Sequence, residues 1–152
     1  MSDPVTFASA TPRHALPLLF SGQAQKEFFV NQAHALADLL LHPAILGSAD
    51  APPVTPLEGD CWLVGPAPTG EWAGQAGHLA CRQASSWLFA APRNGMSLLD
   101  QSRGQVIRFA GSWKVASPVA APGGGSVVDS VARTAIGGLI AALVSAGILP
   151  AA

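Results

Sequence analysis

Charge is scarce in this sequence. Asp, Glu, Lys and Arg make up 11% of its 152 residues, about half the share of an ordinary globular domain. The 8 basic and 9 acidic residues are scattered without runs of one sign and leave a net charge of −1. No basic stripe exists to displace counterions from a run of phosphates, so no nucleic-acid partner is expected. Cysteine is limited to Cys61 and Cys81, both inside apolar strand-like runs, and neither C-x-x-C nor H-x-x-x-H spacing occurs. That excludes a recognisable zinc site. Two buried thiols in adjacent strands are the expected reading and a disulfide is the alternative, with the redox state left open. Met1 to Thr6 lacks a basic n-region followed by an apolar run, which predicts no secretory signal and folding in a reducing cytoplasm.

What is plentiful is Gly (16) and Pro (13). With so little charge, this argues against a disordered charged tail and against a salt-laced, freely soluble monomer. Residues 1–20, broken by Pro4, Pro12 and Pro17, read as an extended arm. A helix is predicted over 21–42, with Ser21 as N-cap and Pro43 as its stop. Phe28, Ala35, Leu36, Leu39 and Leu40 form its apolar face; Gln25, Lys26, Gln32 and Asp38 take much of the rest. Residues 47–58 are a Pro-rich connection. From 59 to 115, short apolar runs recur at roughly ten-residue spacing between Gly/Pro turn signals, which predicts a small antiparallel meander. Residues 116–125 are a Pro/Gly linker. The expected class is therefore α+β, with a separate C-terminal helix over 126–149.

That last helix is read as capped by Ser126 with Asp129 three residues on, and ended by Gly147 and Pro150. No charge follows Arg133. Ile136, Leu139, Ile140 and Leu143 make a broad apolar stripe among Ala and Gly. The uncharged stretch from Thr134 to Leu149 is shorter than the roughly 20 residues a bilayer requires, so membrane insertion is not expected. A helix this apolar needs burial on nearly all sides, which a small domain supplies poorly. A bundle of several subunits is its natural home, implying a cyclic homo-oligomer.

The search for chemistry ends without a catalytic set. Glu58 and Asp60 are two carboxylates in one turn, the minimum for a glycosidase pair, but such a turn ordinarily holds them solvated or capping. Lys26 and Glu27 are neighbours on a helix and point apart; a carboxylate there complements the helix dipole. His14, His34, His42 and His78 share no ligand spacing, and His34 and His42 are two turns apart. There is no G-x-S-x-G elbow, and Gly123-Gly124-Gly125 lacks the strand and G-K-[ST] of a phosphate loop. No enzyme, cofactor or metal is expected. Trp62 and Trp87 are weighed towards core packing, whereas Trp72, in a loop, is the candidate for stacking on a sugar ring.

Several words stand in order: Thr11-Pro12-Arg13, Leu16-Pro17, Gly22-Gln23-Ala24-Gln25-Lys26-Glu27 and Asn31, then Glu58 to Gly65, Thr69 to Gly74, Trp87 to Phe89 and Pro92 to Met96. Over residues 11–115 the chain resembles a phage-structural family of unknown function found in alphaproteobacterial prophages and gene transfer agents. It departs from that pattern at Phe28-Phe29, where smaller or polar residues are usual. The resemblance implies a virion component rather than an enzyme, assembled in the bacterial cytoplasm. It looks like the base or adaptor of a head spike, with capsid proteins and a spike or fibre protein as partners. Arg13, Gln23, Gln25, Lys26, Glu27 and Asn31 are the expected docking residues, making inter-segment or inter-subunit hydrogen bonds. Ile136, Leu139, Ile140 and Leu143 are expected at the oligomer interface. The alternative function is recognition of host capsular polysaccharide through Trp-bearing loops.

Overall fold

A computed structural model describes residues 10–14, 16, 18–19, 22, 26–125 and 129–151. The α+β class holds: the described residues form two α-helices and eight short strands in two four-stranded sheets. The chain divides into two compact units, Met1–Pro43 with Ser48–Ala91, and Ala44–Gly47 with Pro92–Ala152.

In the first unit, α1 runs from Lys26 to Leu40. It begins later than the predicted residue 21: Gly22 has φ +95°, outside any right-handed helix. Ser21, the expected cap, lies outside the described residues. At the other end His42 turns to φ +48° and Pro43 forbids continuation. Ala35, Asp38 and Leu39, one helical turn of a single face, are buried. Asp38 thus belongs to the buried face, not to the polar remainder where the pattern assigned it.

Beside α1, β2 (Ser48–Ala49) pairs in parallel with β3 (Cys61–Val64), which pairs antiparallel with β4 (Leu79–Gln83) and β4 with β5 (Ser86–Ala90). Alternation divides this sheet into two faces. Cys61, Leu63, Leu79, Cys81, Leu88 and Ala90 share one; α1 packs along β5, its Ala35 sharing a groove with Leu88. The other carries Trp62, Val64, Ala80, Trp87 and Phe89, covered by Trp72 from the single helical turn Gly70–Trp72.

The second unit holds the order β1-β6-β7-β8. Here β1 (Ala44–Ile45) is parallel to β6 (Ser97–Asp100), and β7 (Gln105–Phe109) and β8 (Trp113–Lys114) follow antiparallel. Ile45, Leu98 and Ile107 are its buried apolar residues. The block at 59–115 is therefore not one meander. It is shared between two sheets, each completed by a parallel dipeptide from residues 44–49.

The C-terminal helix α2 spans Ser130–Ser145 within the predicted 126–149. Its cap is Asp129, whose carboxylate accepts the Ala132 N–H at 2.9 Å; Ser126 lies outside the described residues. At the far end Gly147 adopts φ +68°. Its N–H donates to Val144 O, and the Ile148 N–H reaches back to Leu143 O, the paired bonds of a Schellman ending that only glycine enters without strain. The Gly147 carbonyl then accepts the Val106 N–H, tying this end to β7.

Candidate functional site

The Thr11-Pro12-Arg13-His14 turn closes onto the end of α1. A helix leaves its last carbonyls without intrahelical donors, and α1 ends at a histidine rather than a glycine. Arg13 fills the gap: Nη1 donates to Asp38 O and Leu39 O, both at 2.9 Å, and Nη2 donates to His42 O at 3.0 Å. His14 Nε2 lies 2.9 Å from Leu41 O. The Arg13 guanidinium sits where the helix dipole favours a cation.

Asp38 answers from the helix. Its side chain, 1% exposed, accepts the Thr11 hydroxyl at 2.7 Å and the backbone N–H groups of His14 at 2.6 Å and Arg13 at 3.0 Å. A buried carboxylate is tolerated only when so supplied with donors. Farther along the arm, the Asn31 amide pairs with both backbone groups of Leu19, and Glu27 Oε1 accepts the Gly22 N–H. Arg13, Glu27 and Asn31, expected as docking residues, thus bond between segments of the same chain. Lys26 is exposed at the start of α1. Gln23 and Gln25 lie outside the described residues. Asp38, Thr11 and His14 were missed; the available signal was an acidic residue on the same helical face as Ala35 and Leu39.

Between α1 and the β4–β5 hairpin lies a groove of about 600 Å³, bordered by Leu18, Glu27, Asn31, Gln83, Ser86 and Trp87. Glu27 Oε2 is buried without a hydrogen-bond partner. Trp72 is not available to a sugar: it is 0% exposed, its ring edge-on to Trp87 at 5.1 Å. The loop signal misled because the segment coils into a helical turn that drops the indole onto the sheet. Trp87 is half-buried, with the Arg82 guanidinium over its ring at 5.4 Å and its Nε1 donating to Glu71 at 3.2 Å.

The carboxylates weighed for catalysis have other duties. The two-residue turn between β4 and β5 holds Ala84 at φ +48° and Ser85 at φ +58°, a conformation that hairpins usually assign to Asn-Gly. Glu58 accepts the N–H groups of both residues at 2.7 Å, offsetting the strain. Asp60 accepts the Leu57 N–H at 2.8 Å. Among the described residues no group of three or more His, Cys, Asp or Glu could hold a metal ion.

On α2 no described residue is buried. Ile136, Leu139 and Leu143 are 42%, 64% and 38% exposed, and Ile140 is half-buried. No described helix is long and apolar enough to cross a membrane.

The family described as Protein of unknown function (DUF2793) matches residues 30–114, more than half of the chain. The chain belongs to that family. No curated protein and no solved structure matches it. The DUF2793 span takes in α1 from Val30 and all eight strands, and so contains Asp38, Glu58, Trp72 and both cysteines. The clamping turn at Thr11–His14 and the apolar helix α2 lie outside it.

Proposed function

We propose that this DUF2793 chain is a structural, non-enzymatic component of a phage-like particle, a homo-oligomeric base or adaptor of a head spike joining capsid to a host-attachment fibre. The observation that carries the reading is α2: sixteen residues, none buried within the chain, with Ile136, Leu139 and Leu143 exposed along it. Burying such a stripe against other copies is favourable by about 1 kcal/mol or more per side chain, and Gly137, Gly138, Ala141 and Ala142 allow close approach. The non-enzymatic part draws support from Glu58 and Asp60, each committed to turn amides. The phage setting draws on the resemblance over residues 11–115, and with it the capsid and fibre partners and assembly in a bacterial cytoplasm.

Deletion of residues 126–152 in a particle-producing strain is the direct test. The expected result is particles that assemble but lack both this chain's oligomer and its spikes on electron micrographs. Particles with their full complement of spikes would overturn the proposal.

A further inference from the structure

Cys61 and Cys81 face each other directly across the β3–β4 pair. The bonds on either side define which kind of pair this is. The Arg82 N–H donates to Asp60 O at 2.8 Å and the Val64 N–H to His78 O at 2.9 Å, so Asp60 with Arg82 and Val64 with His78 occupy hydrogen-bonded positions. By alternation Cys61 and Cys81 form a non-hydrogen-bonded pair, whose α-carbons stand about 4.5 Å apart with the side chains drawn together. That spacing falls within what a disulfide spans. Both sulfurs also lie on one side of the sheet, since Cys61 Sγ and Cys81 Sγ approach the same Gly59 carbonyl at 3.5 and 3.8 Å. Both thiols are free and buried.

The clamped arm lies beside them, against Gly59. A side chain at Gly59 would meet Arg13 Cγ and Pro12 Cβ at 3.4 Å, so the arm turn sits against the residue whose carbonyl the thiols share. We propose that Cys61 and Cys81 are a cross-strand dithiol that closes to a disulfide on reaction with a small-molecule disulfide, at a rate governed by the arm turn at Pro12–Arg13. The sequence of attack follows from the environment. The neighbouring Cys81 thiol, with help from the Arg13 charge, holds the Cys61 thiol below its ordinary range against burial and the Asp38 and Asp60 charges. The Cys61 neighbour and burial push Cys81 up. In the proposed exchange Cys61 attacks first, as the thiolate. It bonds to one sulfur of the oxidant, the oxidant's S–S bond breaks, and one thiolate leaves. Cys81 then gives its proton to solvent and displaces the second thiolate from Cys61. Two protein thiols lose two protons and two electrons, and the oxidant becomes two thiols.

The test is incubation of the folded full-length chain with oxidised glutathione, followed by alkylation in denaturant, intact mass and peptide mapping. Expected are a mass lower by two hydrogens, a peptide joining residues 61 and 81, and a raised thermal midpoint. Cys81→Ser should stop at a glutathione adduct on Cys61. Arg13→Lys, which keeps the charge beside Cys61 but loses the fork to the helix carbonyls, should close several-fold faster than the parent; Arg13→Ala, which also removes the charge that favours the Cys61 thiolate, should gain less. Both thiols remaining alkylatable, or a wild-type chain that retains glutathione, would overturn the dithiol. An unchanged rate in the Arg13 variants would overturn the role of the arm.

Discussion

Replacing Asp38 by alanine removes the acceptor on which the arm closes. Three donors lose their partner at once: the Thr11 hydroxyl and the backbone N–H groups of Arg13 and His14. The Thr11 bond is buried and the other two are partly buried. Leaving a buried donor unsatisfied costs about 1–3 kcal/mol, and partly buried amides recover some of that from water. The expected loss is about 3 kcal/mol, a large share of the ~5–15 kcal/mol that holds an ordinary domain. Asp38→Asn, which keeps one acceptor oxygen, should lose less. Urea titration followed by tryptophan fluorescence reads the first unit, because Trp72 is enclosed against Trp87. A second readout is tryptic cleavage after Arg13, which should quicken once the guanidinium no longer sits on Asp38 O, Leu39 O and His42 O. A change in stability below ~0.5 kcal/mol, the range of an ordinary surface substitution, with unaltered cleavage, would refute the clamp.

Two further perturbations follow from the hairpin and the second helix. Glu58→Ala should lower stability by about 1–2 kcal/mol, since two charge-assisted bonds to Ala84 and Ser85 are lost; adding Ala84→Asn with Ser85→Gly should restore most of it, and a neutral Glu58→Ala in the urea titration would contradict this role. Gly147→Ala should cost about 1 kcal/mol at a φ of +68° and speed amide exchange at Val106, whose N–H bonds the Gly147 carbonyl; unchanged exchange there would show that the helix ending does not hold β7.

What the sequence revealed depended on whether the cause was local. Pro43 ends α1 and Gly147 ends α2 through their own backbones, and both stops were readable. The α+β class followed from one helical and one strand-like period in separate stretches. The parallel strands Ala44–Ile45 and Ser48–Ala49 escaped notice because two residues cannot show alternation. The Ala84–Ser85 turn carries neither Gly nor Asn; its stabiliser is Glu58, distant in the chain. Asp38 read as polar surface because only the arm, folded back from Thr11–His14, supplies the donors that let a carboxylate be buried. Arg13 was found through the resemblance, and its target on α1 through the structure alone. The Trp72 loop looked open because nothing in its sequence records the sheet face formed by Val64 and Ala80.

If α2 associates with copies of itself, the solution mass of the full chain reports it. Light scattering on the purified protein, repeated with Leu139→Glu, compares the parent with a variant carrying a charge at the most exposed apolar position of the Ile136–Leu143 stripe. Expected are a parent mass at least twice the 15.4 kDa of the chain, in whole-number steps, and a monomeric, folded Leu139→Glu. A parent that is monomeric at high concentration, or a multimer indifferent to the substitution, would contradict that association.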